Sequence, residues 1–159
     1  MRASITQRTI KVIEMNFSKR RIARIHCMVS LYLYDVGKFP PDDILNGYIK
    51  YQDNIGVMSD EKVYSFYEDL FKKTVENLKN IDDTISEASR RWDTSRLYAI
   101  DRAILRMATC EMTVLKHASV SIIINEAIEI AKFYSPDEDK GPKFVNGVLD
   151  TVADLAKLK

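Results

Sequence analysis

Apolar residues recur at spacings of three and four along almost the whole chain, and the strict alternation that marks half-buried strands is absent. The first strong pattern predicts a helix from about Ser18 to Asp35. Its apolar stripe is Ile22, Ile25, Val29, Leu33 and Val36, Ser18 is the N-cap candidate, and Gly37 with Pro40-Pro41 stops it. A weaker segment covers about Asp42 to Gln52, followed by a loop at Asn54 and Gly56. Ser59-Asp60-Glu61 opens a long helix, with acids where the helix dipole favours them and Val63, Phe66, Leu70, Phe71, Val75 and Leu78 facing inward. A short helix over Ile81–Ala88 and a break at Trp92–Ser95 come next.

The second half continues in the same way. A helix spans roughly Leu97–Val114, with Leu97, Ile100, Ile104, Met107 and Val114 inward. After a turn at Lys116–Ser119, residues 121–134 form a helix through Ile124, Ala127, Ile128 and Ala131. A polar loop, 135–142, precedes a last helix carrying Phe144, Val148, Val152 and Leu155. Six to seven helices with short connections make an all-α fold. Residues 18–159 read as a single helical domain. Residues 1–17 are a basic extension, either a mobile tail or a further helix, and Met15 is an alternative start.

Composition narrows the class. At 159 residues, 46% apolar and 30% charged, the chain is the size of one globular domain with a real core. It has no apolar run of the roughly 18 residues that span a bilayer. Arg8, Lys11 and Glu14 break up any signal-peptide stretch, so a cytoplasmic location and no membrane partner are expected. Cys27 and Cys110 lack metal-ligand or CxxC spacing and read as small core residues.

Enzyme signals are weak. There is no glycine-rich phosphate loop, no HExxH and no GxSxG. His26 and His117 are far apart, and each reads as structural or exposed. Asp82-Asp83 and Asp137-Glu138-Asp139 look like a helix start and a solvated loop. No catalytic residue, cofactor or metal is expected.

Charge changes the picture. The net charge of +1 hides seven bases against one acid in residues 1–24, a segment of +6 on a body of −5. A basic end attracts polyanions without choosing among nucleic acid, lipid and acidic protein. Lys19-Arg20-Arg21-Ile22-Ala23-Arg24 opens the first helix, where cations oppose the dipole, so local stability does not explain them. At 100° per residue, Arg21, Arg24, Met28 and Tyr32 share one stripe with Arg20 nearby, beside the apolar stripe. The first turns are therefore expected to hold guanidinium groups in water, where they can grip phosphates and stack on unpaired bases. The bland alternative is a solvated basic face.

Three stretches in order carry a resemblance. They are Arg20-Arg21-Ile22-Ala23-Arg24 with Leu31-Tyr32; Asp101–Ala108 with Glu111-Met112; and Ile124–Lys132 followed by Lys143–Asp150. Together they resemble the NusB family of transcription antitermination factors over about Arg20 to Val152. The resemblance implies two small helical bundles packed together and no catalysis. It implies two partners: NusE, a small-subunit ribosomal protein, and a boxA-type single-stranded RNA. The setting would be the RNA polymerase antitermination complex on ribosomal RNA operons. By position it implies RNA contacts at Lys19, Arg20, Arg21, Arg24 and Phe144, and NusE contacts at Tyr32 and Asp101. The alternatives are a packing residue for Tyr32, a core anchor for Phe144 and a locally paired surface charge for Asp101.

The remaining family-like stretches read as structural. Gly147 inside a helix costs about 1 kcal/mol relative to Ala, which a close helix–helix approach would explain. Asn125 and Glu126 are candidates for tying helix ends together. Three departures stand out: the long N-terminus, Ser119 where proline is common, and a longer, more acidic loop before Lys143. Two other readings remain: a NusB-fold protein–protein module without RNA function, and an RNA methyltransferase, for which the chain has no cofactor domain.

Overall fold

The computed structural model describes residues 17–49, 56–93 and 97–159. The expectations for residues 1–16, Met15 included, for the segment end at Gln52, and for Asn54 and Ser95 lie outside them. Seven α-helices and no strand occur among the described residues. They are α1 (Lys19–Asp35), α2 (Pro41–Asp43, running into a π turn at Ile44–Tyr48) and α3 (Glu61–Glu76). Then come α4 (Leu78–Ala88), α5 (Ala99–Cys110, extended by a π turn at Glu111–Leu115), α6 (Val120–Tyr134) and α7 (Lys140–Leu155).

Cap chemistry sets the helix starts. The Ser18 side chain accepts from the Arg21 N–H at 3.2 Å, Asp60 from Lys62 at 3.0 Å, and Ser119 from Ile122 at 3.3 Å. Ser119 thus opens α6 through its hydroxyl where a proline would open it through its fixed φ. Lys116, in the left-handed region at φ 53°, ends the π turn of α5.

The helices fall into two groups joined by a central helix. α1 packs on α3, α6 packs on α7, and α4 leans on α7. α5 runs between the two groups and touches α1, α3, α4, α6 and α7. Its residues Ala103 to Met112 are accordingly buried all round. Two polar contacts lie within this core: His26 Nδ1 is 3.1 Å from the Tyr48 hydroxyl, and the Ser30 and Tyr67 hydroxyls are 2.7 Å apart. Cys27 and Cys110 are buried free thiols, and burial pushes Cys110 up to about 11 and Cys27 well above its ordinary value.

Several expectations need correction. Val36, Val114 and Leu155 were placed in apolar stripes but are exposed, each at the C-terminal end of its helix or of the turn that extends it. The buried face of α6 is Ile123, Ala127, Ile130, Ala131 and Tyr134, leaving Ile124 and Ile128 half-buried. The polar loop is shorter than expected. α7 already starts at Lys140, so Gly141 and Pro142 fall in its first turn, where a missing N–H is harmless. The Asp137 carboxylate accepts from the N–H groups of Asp139 and Lys140 at 3.2 and 2.9 Å, holding that start.

Candidate RNA-binding face and its bracing carboxylates

The first turns of α1 project four cations, and the fold treats each differently. Lys19 is exposed and pairs at 3.3 Å with exposed Asp60, a contact of little energetic weight in water. Arg20 is exposed and makes no ion pair among the described residues. Its guanidinium lies 4.4 Å from the centroid of the Phe66 ring on α3. A ring contact of this kind attracts the cation without consuming its N–H donors, which leaves them for solvent or a ligand.

Arg21 and Arg24 turn inward. Arg21 donates through Nε and a terminal nitrogen to the two carboxylate oxygens of Glu126 on α6, both at 2.9 Å. This fork-to-fork contact raises the Arg21 pKa and lowers that of Glu126. Arg24 makes the same bidentate contact, both bonds 2.9 Å, with Glu111 at the end of α5. Arg24 is only 5% exposed and Glu111 1%. His117 Nε2 lies 3.0 Å from Glu111, and its ring meets Phe66 edge-on at 5.2 Å. Arg24 also lies 3.9 Å from Glu126, which joins both pairs into one network across α1, α5 and α6.

The expectation that these arginines stand together in water therefore holds for Arg20 and is corrected for Arg24, whose charge is consumed by a buried carboxylate. Arg21 is intermediate, with 22% of its side chain exposed. Glu126 does tie elements together, through arginines and not through helix-end amides. Sequence reasoning placed Glu111 in a family-like stretch but gave neither it nor His117 a role. The available signal was a lone Glu in the apolar run Ile104–Met112, facing a lone Arg in the apolar run Ile22–Leu31.

The other candidates lie elsewhere. Asp101 is not a surface charge: it is 3% exposed, and its Oδ2 lies 3.2 Å from the Ser135 hydroxyl at the end of α6. Tyr32 is half-buried on α1. Phe144 is half-buried and meets Trp92 edge-to-face at 5.4 Å. Gly147 is explained by the same indole, because a Cβ there would overlap the Trp92 ring; the close neighbour is a loop side chain, not a helix. Among the described residues no cluster of three or more His, Cys, Asp or Glu could hold a metal, and no helix is long and apolar enough to cross a membrane.

Two groups of helices sharing a central helix, with a basic first helix braced by carboxylates of its neighbours, define a small all-α binding module. The NusB family pattern matches residues 21–154, and the chain belongs to the NusB family. It is 37% identical over 134 residues to the transcription antitermination protein NusB of Bacillus pumilus, covering 84% of this chain and 94% of that one. It is 36% identical over 145 residues to the protein of the same name from Chloroherpeton thalassium, covering 91% of this chain and 65% of that longer one. Among solved structures, NusB in a complex of antitermination factors NusB and NusE with double-stranded RNA shares the fold, with a TM-score of 0.74 at 23% identity over 86% of this chain and 97% of that one.

Proposed function

We propose that this chain is a non-catalytic cytoplasmic antitermination factor that binds boxA-type single-stranded RNA together with NusE, within the RNA polymerase antitermination complex of ribosomal RNA operons. The observation that carries the proposal is Arg20, exposed at the head of α1 with its guanidinium over the Phe66 ring and no ion pair among the described residues. Lys19 and the exposed part of Arg21 extend that cationic surface. Arg24 is a positioning residue: through Glu111 it fixes the angle at which α1 presents the other cations. Backbone phosphates would bind the cations and exposed bases would supply the sequence preference. Tyr32 is assigned to the NusE side. Asp101 would act there from beneath the surface, by holding Ser135.

The burial of Arg24 and the pairing of Arg21 favour one second reading, a NusB-fold protein–protein module without RNA preference. A gel shift with boxA RNA against a scrambled RNA, each with and without NusE, separates the two. Preferential retardation of boxA RNA, strengthened by NusE, supports the proposal. Equal, weak retardation of both RNAs contradicts it.

A further inference from the structure

The arginines at the head of α1 are braced in two different ways. Arg21 and Arg24 each give two donors to a carboxylate, Glu126 on α6 and Glu111 at the end of α5. Arg20 is braced by a ring. Its guanidinium carbon lies 4.4 Å from the centroid of Phe66, and that of Arg24 lies 5.2 Å from the same centroid. His117, in the turn after α5, meets Phe66 at 90° with the ring centres 5.2 Å apart. One side chain of α3 is thus the common contact of an exposed arginine, a buried arginine and a histidine.

The place of Phe66 in the core does not by itself call for a ring. It sits at the margin, 9% exposed, while Tyr67, Leu70 and Phe71 on the same helix are fully buried. An aliphatic side chain could bury most of the same area there. Only an aromatic face carries the quadrupole that attracts a guanidinium.

That attraction has a use. An unbraced arginine at a surface samples many rotamers and gives them up when it takes hold of a phosphate. Ordering one such side chain beforehand is worth about two- to ten-fold in affinity. A carboxylate would order Arg20 by occupying its donors, as Glu126 and Glu111 do for Arg21 and Arg24. A ring orders it and leaves the donors unspent.

We propose that Phe66 is a positioning residue for RNA binding, which holds Arg20 ready for a phosphate while touching no RNA itself. The inference rests on the RNA-binding reading above. It assigns part of the grip to α3. His117 supports the ring, and its 3.0 Å approach to Glu111 ties Phe66 to the network that holds Arg24.

The test titrates a labelled boxA-type RNA with the full chain and reads anisotropy at several salt concentrations. The proteins are wild type, Phe66→Leu, Phe66→Tyr, Arg20→Ala and the double variant of Phe66→Leu with Arg20→Ala. Phe66→Leu is expected to bind about two- to ten-fold more weakly with the salt slope of wild type, since it removes no phosphate contact. Phe66→Tyr, which keeps the ring, should bind as wild type does. Once Arg20 is alanine, Phe66→Leu should cost nothing further. Wild-type affinity in folded Phe66→Leu would overturn the assignment and leave the RNA reading intact. So would an equal loss with and without Arg20, which would make Phe66 a packing residue only. In the free wild-type protein, the Phe66 ring current should shift the Arg20 side-chain proton signals upfield, these being the signals lost in Arg20→Ala. Unshifted signals would overturn the assignment even where Phe66→Leu fails to fold. No RNA binding by wild type, even with NusE, would remove the RNA reading and the Phe66 assignment together.

Discussion

Arg24 and Glu111 are joined by two 2.9 Å hydrogen bonds across 87 residues of sequence, and both side chains are buried. Removing one partner of such a pair strands the other charge in the core, at a cost of about 3–5 kcal/mol. Arg24→Ala is therefore expected to lower the urea midpoint strongly. The apolar double variant Arg24→Met with Glu111→Leu should recover most of the loss. Urea unfolding of the three proteins checks this; a single variant as stable as wild type would show that the pair is not buried as described.

The Arg21–Glu126 pair predicts an acid dependence. Arg21 holds Glu126 below its ordinary value of 4.5, so folding gains stability from the ionised carboxylate at neutral pH. That gain is fully present above the ordinary value and is lost as pH falls below it, through the lowered folded value. Glu126→Gln should be less stable at pH 7 but should lose stability less steeply between pH 5 and 3. Unfolding free energies across that window measure the slope; parallel curves for both proteins would contradict the assignment.

Gly141 separates packing from propensity. Alanine is the better helix former by about 1 kcal/mol, yet a Cβ at this position would overlap the Ser135 hydroxyl that Asp101 holds. Gly141→Ala should therefore destabilise, by about 1–3 kcal/mol as overpacking does. Thermal melts decide the sign.

The thiols offer a simple check of the core. Cys27 and Cys110 are buried and their pKa values are raised, so the native protein should resist a thiol reagent at pH 8, while two thiols should react in denaturant. Fast labelling of either cysteine in the native protein would contradict the packing of α1 on α5.

How much of this was legible follows from where each partner sits in sequence. The start of α1 could be read because Ser18 and its donor Arg21 are three residues apart. The family-like stretches could be read because α5, α6 and α7 keep their residues in order. The fate of Arg24 could not be read from its own helix: its stripe was drawn with Arg21, and only Glu111, one helix bundle away, decides that it turns inward. Met28 and Leu31, four and seven residues on and fully buried, were the local hint. In α6 apolar residues surround the helix at Ile122, Ile123 and Ile124, so periodicity alone could not choose its inner face. Trp92 sits in a break between helices, where no period applies. Its importance emerges only from Gly147, 55 residues on in the chain, which leaves room for the indole.

The arginine network also fixes which variants report on function. Arg21→Ala with Arg24→Ala would disturb folding and binding together, because Glu111 and Glu126 would lose their partners. Arg20 has no such duty, so it isolates the contact with RNA.

The most direct measurement is the salt dependence of boxA-type RNA binding for wild type and Arg20→Ala at equal folded stability. Each phosphate contact on a single strand contributes about 0.7 to the slope of log K against log salt. Arg20→Ala is expected to weaken binding and flatten the slope by about that amount, while the melting temperature falls only by the small worth of one exposed ring contact. A folded variant with the affinity and slope of wild type would contradict the central claim that the head of α1 grips the transcript.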